Sequence, residues 1–567
     1  MSQGIDTTSA ADQSGAARVP DDVRIGLAFS GGGYRAAMFD LGTLSFLNSV
    51  KIDEKRTLLD CVVALSSVSG GTIPAMKYML ARARNEDIDA MIKELFEFLC
   101  NEDLVTHALD GLSKEKANPE VSAIKLMAEI YDKHLFGGAT LGEIMDKIKS
   151  STFPVKDYTA LATDFESSLP FRFRIYDDSI GATCVFGNNG HRINISDARN
   201  ITLGEALACS SCFPSGFEPM MFPDDFKFYS QLNNKNKYKK QVEKTEGEQE
   251  WHGFGIMDGG VADNQGIESI LLAEERLHSH FSKKGSSNKA FDLVIISDVS
   301  SPDMKSKYEP HKEMLPKWLG KLTIGRLRNY GLISEAVMLV LFILSLVAGS
   351  GFWTGVTSVI LAIVTLANVA GIWSKQKMFQ AIGKTFVGDR ARFISHLKFS
   401  TLESLLMNRA TSVITMSSEV FLKRLRQLAY GSIYNDKAWT NRVFSTTVYE
   451  LKPKKIESRV NNSLPRHLVP TEAMQQNSEK AASMDTTLWF TAEEKAAGMP
   501  QAIMAAGQYT ACFNLLDHID QIRKDKTNVS SALNNLLTSL EPQLLEAWEK
   551  FKSEDPQYGP QWMVPKR

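Results

Sequence analysis

The sequence predicts an α/β protein with a hydrophobic helical hairpin placed after its sheet domain and a mostly helical C-terminal portion. Three observations carry that expectation. Apolar runs, small-residue turns and helical stretches alternate over roughly the first half of the 567 residues. A long uncharged run follows, and the remainder is dominated by helix-compatible sequence. Strands alternating with helices are the signature of a mostly parallel sheet covered on its faces.

The elements justify themselves in order. "VRIGLAFS", residues 23–30, reads as a buried strand followed by three glycines and a helix from about Tyr34. "CVVALSSVSGGTIPAMKYML" repeats the layout of apolar run, small-residue turn and helix, and "FDLVIISDVS" is another buried strand. Residues 231–250, "QLNNKNKYKKQVEKTEGEQE", form a polar stretch that suits a solvated insertion loop. With 43% apolar residues and a net charge of −2, the chain has an ordinary globular composition, unlike a nucleic-acid binder or an acidic tail. Six scattered cysteines do not make a disulfide framework. Cys209 and Cys212 form a CxxC without the second pair a zinc site needs, which leaves them a structural role. The leader, residues 1–21, is polar and without the apolar core of a secretory signal, so it reads as disordered and the protein as cytosolic or cytosol-facing.

Residues 336–373 carry no charge. Folded at "GSGFWTG", they give two spans of about 18 residues each, near the length that crosses a bilayer. Gly349, Gly351 and Gly355 suit the turn, and Trp353 and Trp373 suit interfacial positions. The flanks are basic, with Lys317, Lys321, Arg326 and Arg328 before and Lys375, Lys377 and Lys384 after, so both ends are expected on the cytosolic side. Leu315, Trp318, Leu319 and Leu322 share one face of an interfacial helix, weakened by Gly320 and Gly325. A hairpin that only half-inserts, or one buried in a soluble core, gives the same pattern. The expected organisation is a leader (1–21), a sheet domain (22–303), a basic juxtamembrane segment (304–333), the hairpin (334–374) and a mostly helical portion (375–567) packing on the sheet domain.

The chemistry-bearing residues sit at the turns. Gly31–Gly33 open a helix, as phosphate loops do, but no GK[ST] follows and Ala36 and Ala37 interrupt a dinucleotide pattern. "SSVSGGT" places Ser69 between Ser67 and Gly71, a variant of the nucleophile elbow in which small neighbours permit a strained strand-to-helix turn. Taken alone, it is also what a turn of small residues looks like. Ser66 and Ser67 lack a following glycine. "GIMDGGVADNQGIE" presents Asp258 on a glycine turn, from which a carboxylate can take a serine proton directly. His252, six residues ahead, reads as a loop residue.

In this order, "SGGGYRA", "SVSGG" and "DGG" resemble the patatin-like phospholipase family of bacterial type, here with an inserted hydrophobic hairpin. "ATDFESSLPFRF" and "ACSSCFPSGFEPM" also look like the family's intervening blocks, and the portion from "TTLWFTAEE" does so more loosely. The resemblance implies a three-layer α/β/α domain with Ser69 as nucleophile and Asp258 as general base. It further implies an oxyanion hole from the amides around Gly31, Gly32 and Gly33, with Arg35 matching the family's basic residue; Arg35 read without the family is a salt-bridged helix residue. No cofactor or metal is implied. Two departures stand out: Ser67 replaces the first elbow glycine and Ala36 a glycine after the basic residue. The expected function is a membrane-anchored serine lipid acyl hydrolase cleaving phospholipid esters, with the bilayer as its partner and no nucleic acid. An acyltransferase, or an inactive lipid-binding membrane scaffold, is the alternative.

Overall fold

The computed structural model describes residues 23–553, apart from segments 108–109, 111–121, 178–183, 233–234, 236–252, 284–288, 300–315, 317–319 and 383–397 and positions 105, 151, 215 and 463. The leader, most of the polar loop, His252, Lys384, and Leu315, Trp318 and Leu319 of the expected interfacial helix lie outside the described residues. The chain forms two compact units, one of Met1–Lys305 with Phe421–Arg567, the other Ser306–Val420. The stretch from 375 to 420 therefore groups with the hairpin rather than with the rest of the C-terminal portion.

Among the described residues the first unit is built on a ten-stranded mixed sheet. Its strands are β1 (Ile25–Phe29), β2 (Val62–Val68), β3 (Asp157–Asp164), β4 (Pro170–Tyr176), β5 (Val185–Gly187), β6 (Arg192–Ile193), β7 (Met220–Phe222), β8 (Phe254–Asp258), β9 (Leu293–Asp298) and β10 (Val443–Thr447). The order is β10-β9-β1-β2-β3-β4-β5-β6, with β8 joined to β3 and β7. The five strands β10, β9, β1, β2 and β3 run parallel. Strands β1 and β9 are buried along their whole length, as expected where helices cover both faces. β10 was not foreseen: "VFSTT" is short and lies in otherwise helical sequence, yet it extends the parallel sheet beside β9.

Helix α1 (Gly33–Ser49) leaves β1, and α2 (Thr72–Arg84) leaves β2. A long C-terminal helix, Met499–Lys524, is buried over most of its length and crosses α1 backbone to backbone. A Cβ on Gly42 would strike the Met504 carbonyl, and one on Gly507 the Phe39 carbonyl. Two helices meet this closely only where both lack side chains.

In the second unit, helices Ile324–Val347 and Gly351–Ile382 form the hairpin. Among the described residues one helix is long and apolar enough to cross a membrane, over Asn329–Val347; Gly351–Leu366 is a shorter apolar stretch. The expectation of two equal spans is thus met by one. Across the pair, Thr365 and Asn368 each donate to the Glu335 carboxylate at 3.0 Å. Asn368 also reaches the Gly331 carbonyl at 3.0 Å, and Ser345 meets Thr357 at 3.1 Å. These bonds clip the helices together while Val347, Phe352, Ile363 and Leu366 stay exposed.

Replacing Gly507 by alanine forces the two crossing helices apart and is expected to destabilise the first unit by about 1–3 kcal/mol. A thermal unfolding scan should show a lower Tm; an unchanged Tm would contradict the close crossing.

Candidate active site

The site is assembled by β3, which neighbours both halves. On one side β2 runs parallel to it, pairing Ser67 with Ala160 and Val68 with Leu161. Farther along that same edge, the opposite one being taken by β4, β8 runs antiparallel and sets Asp258 opposite Ala162. Residues 189 positions apart in sequence are thereby brought within one residue of each other along a shared strand.

At the end of β2 the chain turns sharply into α2. Ser69 adopts φ 49°, a left-handed conformation that costs a non-glycine residue roughly 1–3 kcal/mol. The turn tolerates nothing larger than glycine beyond it: a Cβ at Gly70 would meet the Gly33 carbonyl, and one at Gly71 would lie 2.6 Å from the Ser30 carbonyl oxygen. The Ser69 hydroxyl donates to Asp258 Oδ2 at 2.7 Å. Neighbouring serines are committed elsewhere. Ser66 donates to the Gly266 carbonyl at 2.7 Å, and Ser67 meets the Tyr158 hydroxyl at 3.2 Å. The latter contact explains how serine stands where the elbow pattern has glycine: its hydroxyl finds a buried partner on β3.

Asp258 is 2% exposed, and Ser69 only 9%. The second carboxylate oxygen of Asp258 accepts from the Gly260 amide at 2.7 Å, and its backbone carbonyl accepts from Thr163 at 2.8 Å. Burial pushes the Asp258 carboxyl up from the ordinary 3.8 to about 6, against the pull of the bonds from Ser69 and Gly260. A carboxylate tuned to that range can accept a proton at neutral pH and return it.

The glycine loop lies directly beside the elbow; a Cβ on Gly31 would sit 3.2 Å from Ser69 Cβ. Its amides are not equivalent. Gly31 N–H is bonded to the Asn264 carbonyl at 2.9 Å, and Tyr34 N–H to the Thr487 carbonyl at 2.7 Å. Among the described residues no acceptor is recorded for the amides of Gly32 and Gly33. Gly32 and Gly33 hold φ 152° and 59°, which side-chain-bearing residues rarely adopt. Gly33 opens α1, whose first turn carries no acidic residue, so the helix dipole favours negative charge at these amides. Of the expected donors, Gly31 N–H is bonded to the Asn264 carbonyl and the Arg35 guanidinium donates to the Met484 carbonyl.

Two contributors have no role assigned from the sequence. Ser210, at the end of helix Leu203–Ser211, accepts from Ser69 N–H at 3.0 Å and donates to the Leu161 carbonyl at 2.7 Å, tying the elbow to β3. Asn264 places its carboxamide oxygen where a side chain on Gly31 or Gly260 would go. Both lie in segments that drew attention, "ACSSCFPSGFEPM" and "DGGVADNQ", but nothing in their spacing marks these members. Cys209 and Cys212 are buried free thiols behind the site; Cys212 donates to the Ile256 carbonyl at 3.4 Å.

Comparison with known proteins gives one family match. A family model described as patatin-like phospholipase matches residues 27–271. No curated protein matches the chain. Among solved structures, the human GIVD cytosolic phospholipase A2 overlaps 49% of this chain and 45% of its own, at 14% identity and a TM-score of 0.29. The same human enzyme in complex with methyl gamma-linolenyl fluorophosphonate overlaps 27% and 23%, at 21% identity and a TM-score of 0.21. VipD from Legionella pneumophila overlaps 93% and 92%, at 10% identity and a TM-score of 0.23. The overlap thus spans less than half the length of the human enzyme, and none of these superpositions is close enough to carry weight beside the family match. Residues 27–271 of this chain thus match the patatin-like phospholipase family.

Proposed function

We propose that the protein is a membrane-anchored serine acyl hydrolase that cleaves carboxylic ester bonds of glycerophospholipids. The observation that carries this reading is the 2.7 Å hydrogen bond from the Ser69 hydroxyl to a buried carboxylate, Asp258, beside a glycine loop in which the Gly32 and Gly33 amides have no acceptor among the described residues. In the proposed reaction Ser69 Oγ attacks the ester carbonyl as Asp258 takes its proton. The oxyanion of the tetrahedral intermediate is held by the amides of Gly32 and Gly33. Collapse expels the alcohol, which recovers the proton, and leaves an acyl-serine. Water, deprotonated by Asp258, then releases the fatty acid and restores Ser69. An oxyanion donor of this kind is worth about 3 kcal/mol of barrier.

The hairpin supports the membrane half of the proposal. Over Asn329–Val347, 19 residues span about 28 Å of helix, close to a bilayer's hydrocarbon thickness. Exposed apolar side chains around a helix pair clipped by Glu335, Thr365 and Asn368 fit a lipid surrounding. Both hairpin ends would then face one side, the cytosol by the basic flanks, holding the catalytic unit near its substrate and raising local substrate concentration without altering the chemistry.

Ser69→Ala should lower release of fatty acid from a mixed lipid extract, followed by mass spectrometry, at least about 10⁴-fold; turnover at the wild-type rate would refute the nucleophile. For the wild type, kcat/KM should climb about tenfold per pH unit up to about 6 and then level off, because the base must be ionised. Stability should move the opposite way. A carboxyl whose folded pKa lies above the ordinary 3.8 favours folding fully below about pH 4, and the benefit is gone once pH passes about 6. Ionised Asp258 then costs about 3 kcal/mol. Asp258→Asn should therefore be inactive yet melt above the wild type at pH 8, with the difference vanishing near pH 4; equal melting at pH 8 would contradict the buried charge.

A further inference from the structure

The family match ends at residue 271, but the glycine loop is also held from far beyond it. Residues 484–490 connect helix Glu472–Ser483 to helix Ala492–Ala496 and pass along the start of α1. The Thr487 carbonyl accepts the Tyr34 amide at 2.7 Å and occupies the place a side chain on Gly33 would take. The Arg35 guanidinium, buried from solvent, donates to the Met484 carbonyl, itself on a buried residue. Burial pulls the affinity of that guanidinium for its proton down, and the charges of Asp298 and Asp485 counter this only in part. The Tyr34 ring lies 5.8 Å from that of Phe490, and the Thr487 hydroxyl donates to the Trp489 carbonyl at 2.8 Å, stiffening the peptide from within.

These contacts select among the amides at the helix start. A free helix N-terminus offers several unpaired N–H groups whose directions fluctuate together. Here Gly31 is fixed from one side by Asn264 and Tyr34 from the other by Thr487, and the two amides between them are left with their directions set. Preorganised donors of this kind stabilise charge without reorganising during reaction.

We infer that residues 484–490 are a positioning strap for the oxyanion loop, and that Arg35 acts on turnover by clamping this strap rather than by touching substrate. The kinetic consequence rests on the acyl-hydrolase reading above; the structural one does not.

The test uses the full-length protein in detergent micelles as wild type, Arg35→Met and Arg35→Lys. Three quantities are measured: amide hydrogen exchange at Tyr34, kcat and KM on a monomeric soluble ester, and inhibition by an aliphatic trifluoromethyl ketone, whose serine adduct carries an oxyanion. Arg35→Met should speed Tyr34 exchange about tenfold or more as the strap opens locally. It should lower kcat and ketone affinity together, by about 10–100-fold, with KM within about twofold. Arg35→Lys, which can still donate to a carbonyl, should stay within about threefold of wild type on all three. Thr487→Gly loosens the strap without emptying the Arg35 site; it should move the same readouts in the same direction, and it decides the matter if Arg35→Met does not fold. Unchanged Tyr34 exchange in the variants would overturn the strap, as would a rise in KM alone, which would put Arg35 on the substrate. A wild type inert to both ester and ketone would overturn the hydrolase reading, and the exchange comparison would still decide the strap.

Discussion

The site depends on one constraint: a serine in a left-handed conformation held where two stretches of bare backbone touch. Ser69 can occupy φ 49° only because the residues that close around it have no side chains. Gly70 abuts the Gly33 carbonyl, Gly71 the Ser30 carbonyl, and Gly31 faces Ser69 Cβ. The glycine loop and the elbow are therefore one packing unit rather than two motifs. A methyl group added at any of these contacts would separate the hydroxyl from the amides beside it. Strain at Ser69 is held in place by the bond from its amide to Ser210 and by the bond from its hydroxyl to Asp258.

Strand β3 acts as the ruler for this arrangement. It fixes the elbow through Val68 and Leu161 and the carboxylate through Ala162; its Thr163 hydroxyl donates to the Asp258 carbonyl, and its Leu161 carbonyl accepts from the Ser210 hydroxyl that also holds Ser69 N–H. The rest of the first unit holds the sheet and the crossing helices rigid around that strand. The second unit has a different logic. Its two helices satisfy their few polar groups against each other and leave apolar side chains outward, the inverse of a soluble core.

Much of this was legible in the sequence, and the reason is physical. Buried parallel strands leave apolar runs, tight turns leave glycines, and three such motifs in order leave few folds to choose from. The strands 25–29, 62–68 and 293–298 and the helices after the first two could be read directly. What could not be read was set by distant partners. Which loop amides stay unbonded depends on Asn264 and Thr487 carbonyls, and backbone acceptors carry no residue signature. Ser210 is one of two adjacent serines, distinguished only by the helix phase that turns it toward Ser69 and Leu161. Arg35 matched a family pattern by position, while its guanidinium goes to the C-terminal segment. In the hairpin, Glu335 sits one residue before the uncharged run, so the clip it makes with Thr365 and Asn368 was invisible to a count of charges.

The proposed chemistry turns on whether the Ser69 hydroxyl is activated by Asp258. The most direct measurement is covalent labelling of the full-length protein with a fluorophosphonate, the modified residue located by peptide mass spectrometry. The account predicts a single adduct on Ser69, formed faster as pH rises through about 6, and formed at least about 100-fold more slowly in Asp258→Asn. Folded protein that takes no label, or labelling of Ser69 at the same rate with asparagine at 258, would contradict it.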